Sequence, residues 1–390
     1  MPTTRRQVIR GSLLVAFSLA ALPACSDDGP STGSKGDTKT PQDSIAGMLS
    51  LVPDTPANRK DVTVNRFDPA WKASGFDRHA TGAELDRGGL GLTIGGGTKG
   101  STIGLAPTTF FAGNLIRPSE VQAKFGYDPG RLTADISAGA PPETHQVVRG
   151  VFDSAAVQKA VKTSVGPQAT VTKIGGVEAV RWLDDLKIDM SLAGKSPLTQ
   201  IGQSGRVAIP DGSTLVYART DAGLKALAGL AEGQGTSLAN AADLRAAADA
   251  LDKAGAYAAW LSTERVSPTS ATRGRPLTPE QLKAAIGDLT KTGQPPYAAM
   301  GLGQARDGAK QLLIVTFVHA DDSTAKTGAT RLTEMVKTGR STSTAQSWSQ
   351  MLLRPDITTQ GRVVVGRFEV GNVTLWTRIP QQQDSLLYTA

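Results

Sequence analysis

Residues 169–182 read ATVTKIGGVEAVRW, two β-rich runs on either side of Gly175-Gly176. A two-residue hairpin loop needs positive φ angles, which glycine adopts without a Cβ penalty, so this stretch predicts a pair of antiparallel strands. The same pattern recurs outward from it. RVAI and TLVYA flank Pro210-Asp211-Gly212-Ser213, and YAAMGLGQARDGAKQLLIVTFVHA turns over Asp307-Gly308. RVVVGRFEVGNVTLWTRI is expected to form a last hairpin. Helices fall between these strands. Asp153 is placed to cap SAAVQKAVKTSV by accepting from free amide hydrogens, and AADLRAAADALDKAG puts Leu244, Ala248 and Leu251 on one face. Asp322 is expected to cap a helix carrying Leu332 and Val336. Hairpins interleaved with helices predict an α+β fold, with antiparallel sheets built from hairpins and helices packed on one face.

Composition sets the domain plan. The stretch from Ser26 to Ser44 is rich in Ser, Gly, Asp, Thr, Lys and Pro and has almost nothing apolar to bury. It reads as a flexible tether whose typical reach is about 24 Å. Residues 45–390 exceed what one core usually supports, so two modules are expected, 45–263 and 278–390, joined by a linker over 264–277 (ERVSPTSATRGRPL). Thr278-Pro279-Glu280-Gln281 combines a capping box with proline at the first helical position, which opens the second module on a helix. From Ile45 to about Gly104 the pattern gives only a short helix, the strand-like DVTVNRF and a glycine-rich stretch containing strand-like LGLTI.

The N-terminus reads as an address. Arg5, Arg6 and Arg10 precede an apolar run from Leu13 to Leu22, too short to cross a bilayer as a helix. The run ends in Leu22-Pro23-Ala24-Cys25, which resembles the lipobox of bacterial lipoproteins, although Pro23 stands where a small residue is usual. That resemblance implies removal of residues 1–24 and a diacylglyceryl group on Cys25, the one cysteine of the chain. Thr4-Arg5-Arg6-Gln7-Val8-Ile9-Arg10 resembles the twin-arginine export signal, with Arg5 and Arg6 as its pair, and implies passage of a folded protein. The expected location is the extracytoplasmic side of the cell membrane. LSLVPDTPANRKDVTVNRF and VVRGVFDSAAV are similar to stretches of exported bacterial lipoproteins of unknown function, a likeness that implies no activity.

Most of what the sequence says about chemistry is exclusion. Loss of the three leader arginines takes the net charge from +7 to +4, and the remaining charges are interspersed, so a nucleic-acid surface is not expected. Gly95, Gly97 and Gly100 fit GxGxxG, but Pro107 and β-branched residues follow where a dinucleotide site needs a helix. Ser323 and Lys326 match SxxK, and Lys337-Thr338-Gly339 matches KTG, the elements of penicillin-recognising serine enzymes. Here both sit on one expected helix, as a start and a stop. Ser204 misses the GxSxG elbow by one position. Asp184, Asp185 and Asp189 read as a solvated turn, and the three histidines have no metal-ligand spacing. His319 beside Asp321 and Asp322 is the most chemical-looking cluster; its plainer reading is a strand-end histidine followed by helix-capping acids. No catalytic set, cofactor or metal is therefore expected. The favoured reading is a non-enzymatic, lipid-anchored envelope protein that binds an envelope partner, wall polymer or small ligand. The alternatives are an extracytoplasmic hydrolase of a wall polymer or ester, and a solute-capture protein with a cleft between the modules.

Overall fold

In the computed structural model, residues 42–93, 103–111, 117–267, 278, 280 and 289–389 are described. The signal, Cys25, most of the tether, the 95–100 glycine motif and much of the 264–288 segment lie outside them. Twelve strands form one sheet: β1 (Val62–Arg66), β2 (Ala134–Ala138), β3 (His145–Arg149), β4 (Thr170–Ile174), β5 (Val177–Trp182), β6 (Gly205–Ala208), β7 (Thr214–Ala218), β8 (Ala258–Ser262), β9 (Ala299–Asp307), β10 (Lys310–Val318), β11 (Leu353–Gln360) and β12 (Val363–Glu369). Their order is β11-β12-β10-β9-β8-β1-β2-β3-β7-β6-β5-β4, and every neighbouring pair is antiparallel. Gly175 and Gly176 turn with φ of 61° and 92°, setting Ile174 opposite Val177. The expected α+β class, with an antiparallel sheet built from hairpins, is what the chain adopts.

The helices cover both faces of the sheet, not one, because the strands are apolar on both sides. In β10, Leu313, Val315 and Phe317 enter one core while Leu312, Ile314 and Val318 enter the other. The first core takes α2 (Phe67–Ser74), α3 (Gly82–Leu92), α4 (Pro118–Phe125) and α5 (Ser154–Val165). The second takes α1 (Ile45–Met48), α6 (Asp221–Ala231) and α7 (Ala242–Lys253). Two more helices, α8 (Asp322–Thr338) and α9 (Leu375–Gln381), return to the first core. Burial of each large aliphatic or aromatic side chain contributes about 1.5–3 kcal/mol. At one edge, β11 is almost wholly exposed, and its Arg354-Pro355-Asp356 run with a register shift protects it from pairing with another chain.

Several expectations change. Strand β12 pairs with β11, and the segment expected as its partner forms α9 instead. Leu375, Trp376 and Ile379 are buried at helical spacing, and the Trp376 indole donates to Gly104 O at 2.7 Å. LGLTI is not a strand: α3 runs through Leu92, and a Cβ on its Gly89 would lie 2.4 Å from Pro118 Cγ. Glycine there serves close helix packing. The N-cap of α8 is Asp321, whose carboxylate accepts from Thr324 N at 2.7 Å, while Asp322 is the first helical residue. The sheet also runs unbroken across the expected module boundary, since β8 pairs with β9 from Ala258–Gln304 to Ser262–Met300. All of it lies within one compact unit, Thr40–Ala390. Among the described residues no helix is long and apolar enough to cross a membrane.

Candidate functional site

His319 follows β10 directly and is fully buried. Its Nδ1 lies 3.3 Å from Pro296 O, and among the described residues its Nε2 has no hydrogen-bond partner. Burial pushes its imidazole below the ordinary value, opposed by the Pro296 hydrogen bond and the Asp321 charge. Asp321 and Asp322 are exposed, and the Thr324 hydrogen bonds hold the Asp321 carboxyl below its usual range. The three residues thus form a strand end and a helix start, with the histidine facing inward and the acids facing water. Among the described residues no histidine hydrogen-bonds a serine.

The other sequence candidates have structural partners. Asp184 pairs with Lys187 and Arg181, Asp185 with the fully buried Arg206 at 2.5 Å, and Asp189 caps the short helix Met190–Leu192. Ser323 and Lys326 are exposed on α8, which ends with Gly339 as its C-cap. Ser204 is buried and donates to Arg219 O. One carboxylate cluster unmarked in the sequence does form. Asp384, 2% exposed, accepts from the hydroxyls of Ser341, Thr342, Ser343 and Ser385 and from the amides of Thr342 and Ser385. The cluster pins the 341–344 turn to the C-terminal segment.

Among the described residues a concavity lies elsewhere, on the α9 side of the sheet where β1 meets β8. It is a cleft of about 580 Å³ lined by Lys60, Asp61 and Thr63 at the start of β1, by Trp260 and Glu264 at β8, and by Thr377, Gln381 and Gln383 around the end of α9. Antiparallel pairing sets Thr63 opposite Trp260. The Trp260 indole donates to Asp61 Oδ1 at 2.8 Å, which fixes ring and carboxylate together. Asp61 is open to water on one side and hemmed by protein on the other. That partial desolvation is the main cause raising its carboxyl; the indole hydrogen bond opposes the shift and the like charge of Glu264 adds to it.

A buried polar pair supports the wall of the cleft. Asn65 on β1 grips the backbone of Ala106, a lining residue, accepting from its N at 3.0 Å and donating to its O at 2.9 Å. The same amide donates to Asp135 Oδ1 at 2.7 Å, and Thr108 N donates to Asp135 Oδ2 at 2.6 Å. Asp135 is fully buried, and desolvation, outweighing those hydrogen bonds, pushes its carboxyl up to about 6. Among the described residues no group of His, Cys, Asp and Glu is arranged to hold a metal.

No protein-family model matches the chain, and no curated protein matches it. Among solved structures, crystal forms I, III and IV of TP0453 align with it at 10–11% identity. They cover 84–87% of this chain and 95–97% of that one, with TM-scores of 0.37, 0.39 and 0.39. A likeness of that order carries no functional argument.

Proposed function

We propose that the chain is an exported lipoprotein, anchored through Cys25, whose folded body binds a small ligand in the β1–β8 cleft at the cell envelope without transforming it. The observation that carries the binding reading is the cleft itself. Its volume of about 580 Å³ falls within the roughly 300–1,000 Å³ of small-molecule sites, and its lining mixes an indole with a few polar groups. The address rests on sequence: Arg5 and Arg6 for the export signal, Leu22-Pro23-Ala24-Cys25 for lipidation, and the stretch after Cys25 as the tether. The expected end of that tether at Ser44 falls inside the folded unit, because Ser44 is buried and caps α1. Solute capture is the form of binding with its own support, because Glu264, first residue of the expected linker, lines this cleft.

Native mass spectrometry of Thr40–Ala390, folded in a bacterial cytoplasm, tests the binding reading. Ala140 also lines the cleft, and extra mass that vanishes on denaturation and is missing from an Ala140→Trp variant with the cleft obstructed supports it. Extra mass that survives obstruction refutes it. For the anchor, Cys25→Ser is expected to move the protein from the membrane fraction to the soluble fraction, and unchanged membrane association would contradict lipidation there.

A further inference from the structure

We propose that the cleft takes an organic cation, a small molecule whose ammonium group sits against the Trp260 indole and between the Asp61 and Glu264 carboxylates. This rests on the cleft being the ligand site. Several carboxylates around the sheet have basic partners: Asp54 pairs with Arg59, Asp252 with Arg66, Asp243 with Arg362, and Glu369 with Arg354 and Lys310. Asp61 and Glu264 do not, and unlike other unpaired carboxylates of the sheet they line one cleft together. Among the described residues neither has a basic group within ion-pair distance, although Lys60 lines the same cleft. They are close enough for the Glu264 charge to act on Asp61. Two like charges left facing one concavity supply an attraction that a cation satisfies and a neutral molecule does not.

Trp260 adds a surface that favours the same ligand. The face of an indole carries negative electrostatic potential and attracts ammonium groups. Here the ring's N–H is committed to Asp61 Oδ1, so ring and carboxylate present one pre-set surface, with Asp61 Oδ2 free of a protein donor among the described residues. A primary ammonium can donate to Oδ2 and to Glu264, and a quaternary one can lie on the ring. Preorganisation of this kind lowers the entropic cost of binding.

Calorimetric titration of Thr40–Ala390 with putrescine, choline and glucose, at pH 7.5 and low salt, tests the proposal. Putrescine or choline is expected to bind and glucose not to. Asp61→Asn and Glu264→Gln keep the side-chain shapes, and the carboxamide introduced by Asp61→Asn still offers an oxygen to the indole. Each is expected to weaken cation binding roughly tenfold. Unchanged melting temperatures would show that the variants are folded. Cation binding indifferent to both substitutions overturns the proposal, as does silence from all three probes. Glucose binding that is lost in Ala140→Trp overturns the cationic class alone and leaves the cleft as the ligand site; retained mass in the mass-spectrometric test judges the cleft separately.

Discussion

Asp135 makes the protein's stability depend on pH in a direction opposite to that of most carboxylates. Its carboxyl titrates near 6 in the fold against 3.8 for an unperturbed aspartate, because its surroundings are dry and its partners are the neutral Asn65 and Thr108. The folded state therefore holds the proton more tightly than the unfolded chain. The resulting stabilisation is fully present below pH 3.8 and is lost as pH rises through about 6. A shift of about 2 units at 1.36 kcal/mol each corresponds to about 3 kcal/mol, with about half of it remaining at pH 5. His145 and His319, both lowered by burial, act the other way, contributing stability that is lost on acidification. So do the depressed carboxyls of Asp184 and Asp321. Subtracting Asp135→Asn from the wild type isolates the one residue. Urea unfolding followed by tryptophan fluorescence from pH 4 to 7.5 should show the wild type gaining about 2.4 kcal/mol on the variant toward acid. A difference that is flat across that range, or that falls toward acid, would refute the reasoning.

Substitutions at three positions probe other features. Alanine at a helical glycine ordinarily adds about 1 kcal/mol, but in Gly328→Ala the new Cβ would meet buried His319 Nε2 at 2.5 Å and Gln294 Oε1 at 3.1 Å. A net loss of about 1–3 kcal/mol is expected, and a variant melting at or above the wild type would contradict it. Asp384→Ala strands several buried donors and should cost about 3 kcal/mol or more, with Asp384→Asn milder, both read from urea midpoints. Gly176→Ala meets no atom within 4 Å, so its expected loss of about 1 kcal/mol comes from the positive φ alone and should shrink in Gly176→Asn.

The hairpins were readable because turn chemistry is local: Gly175-Gly176 and Asp307-Gly308 announce their own geometry. The helix cap at Asp321 was missed by one residue for an equally local reason, since adjacent aspartates offer the same chemistry and only the backbone decides between them. The α9 segment was misread because VTLWTRI is rich in strand-forming residues. What makes it helical is tertiary, the burial of Leu375, Trp376 and Ile379 and the indole bond to Gly104. The end of α3 looked strand-like as LGLTI for a similar reason, because the prolyl ring that presses against Gly89 belongs to α4. The cleft had no local signature. Asp61, Trp260 and Glu264 stand in ordinary surroundings along the chain and become neighbours only through the pairing of β1 with β8.

That pairing also sets the order in which the molecule can be completed. Strand β1 is the first strand made, yet its partners β2 and β8 follow about 70 and about 200 residues later. Contacts this remote form late, since a long loop must close before any of them is made. The middle of the sheet is accordingly closed only when two thirds of the chain is in place, and the cleft over it only once α9 has followed. Until β8 is made, β1 keeps at least one open edge. A ligand that fits the cleft recognises only the finished product and draws the folding equilibrium toward it.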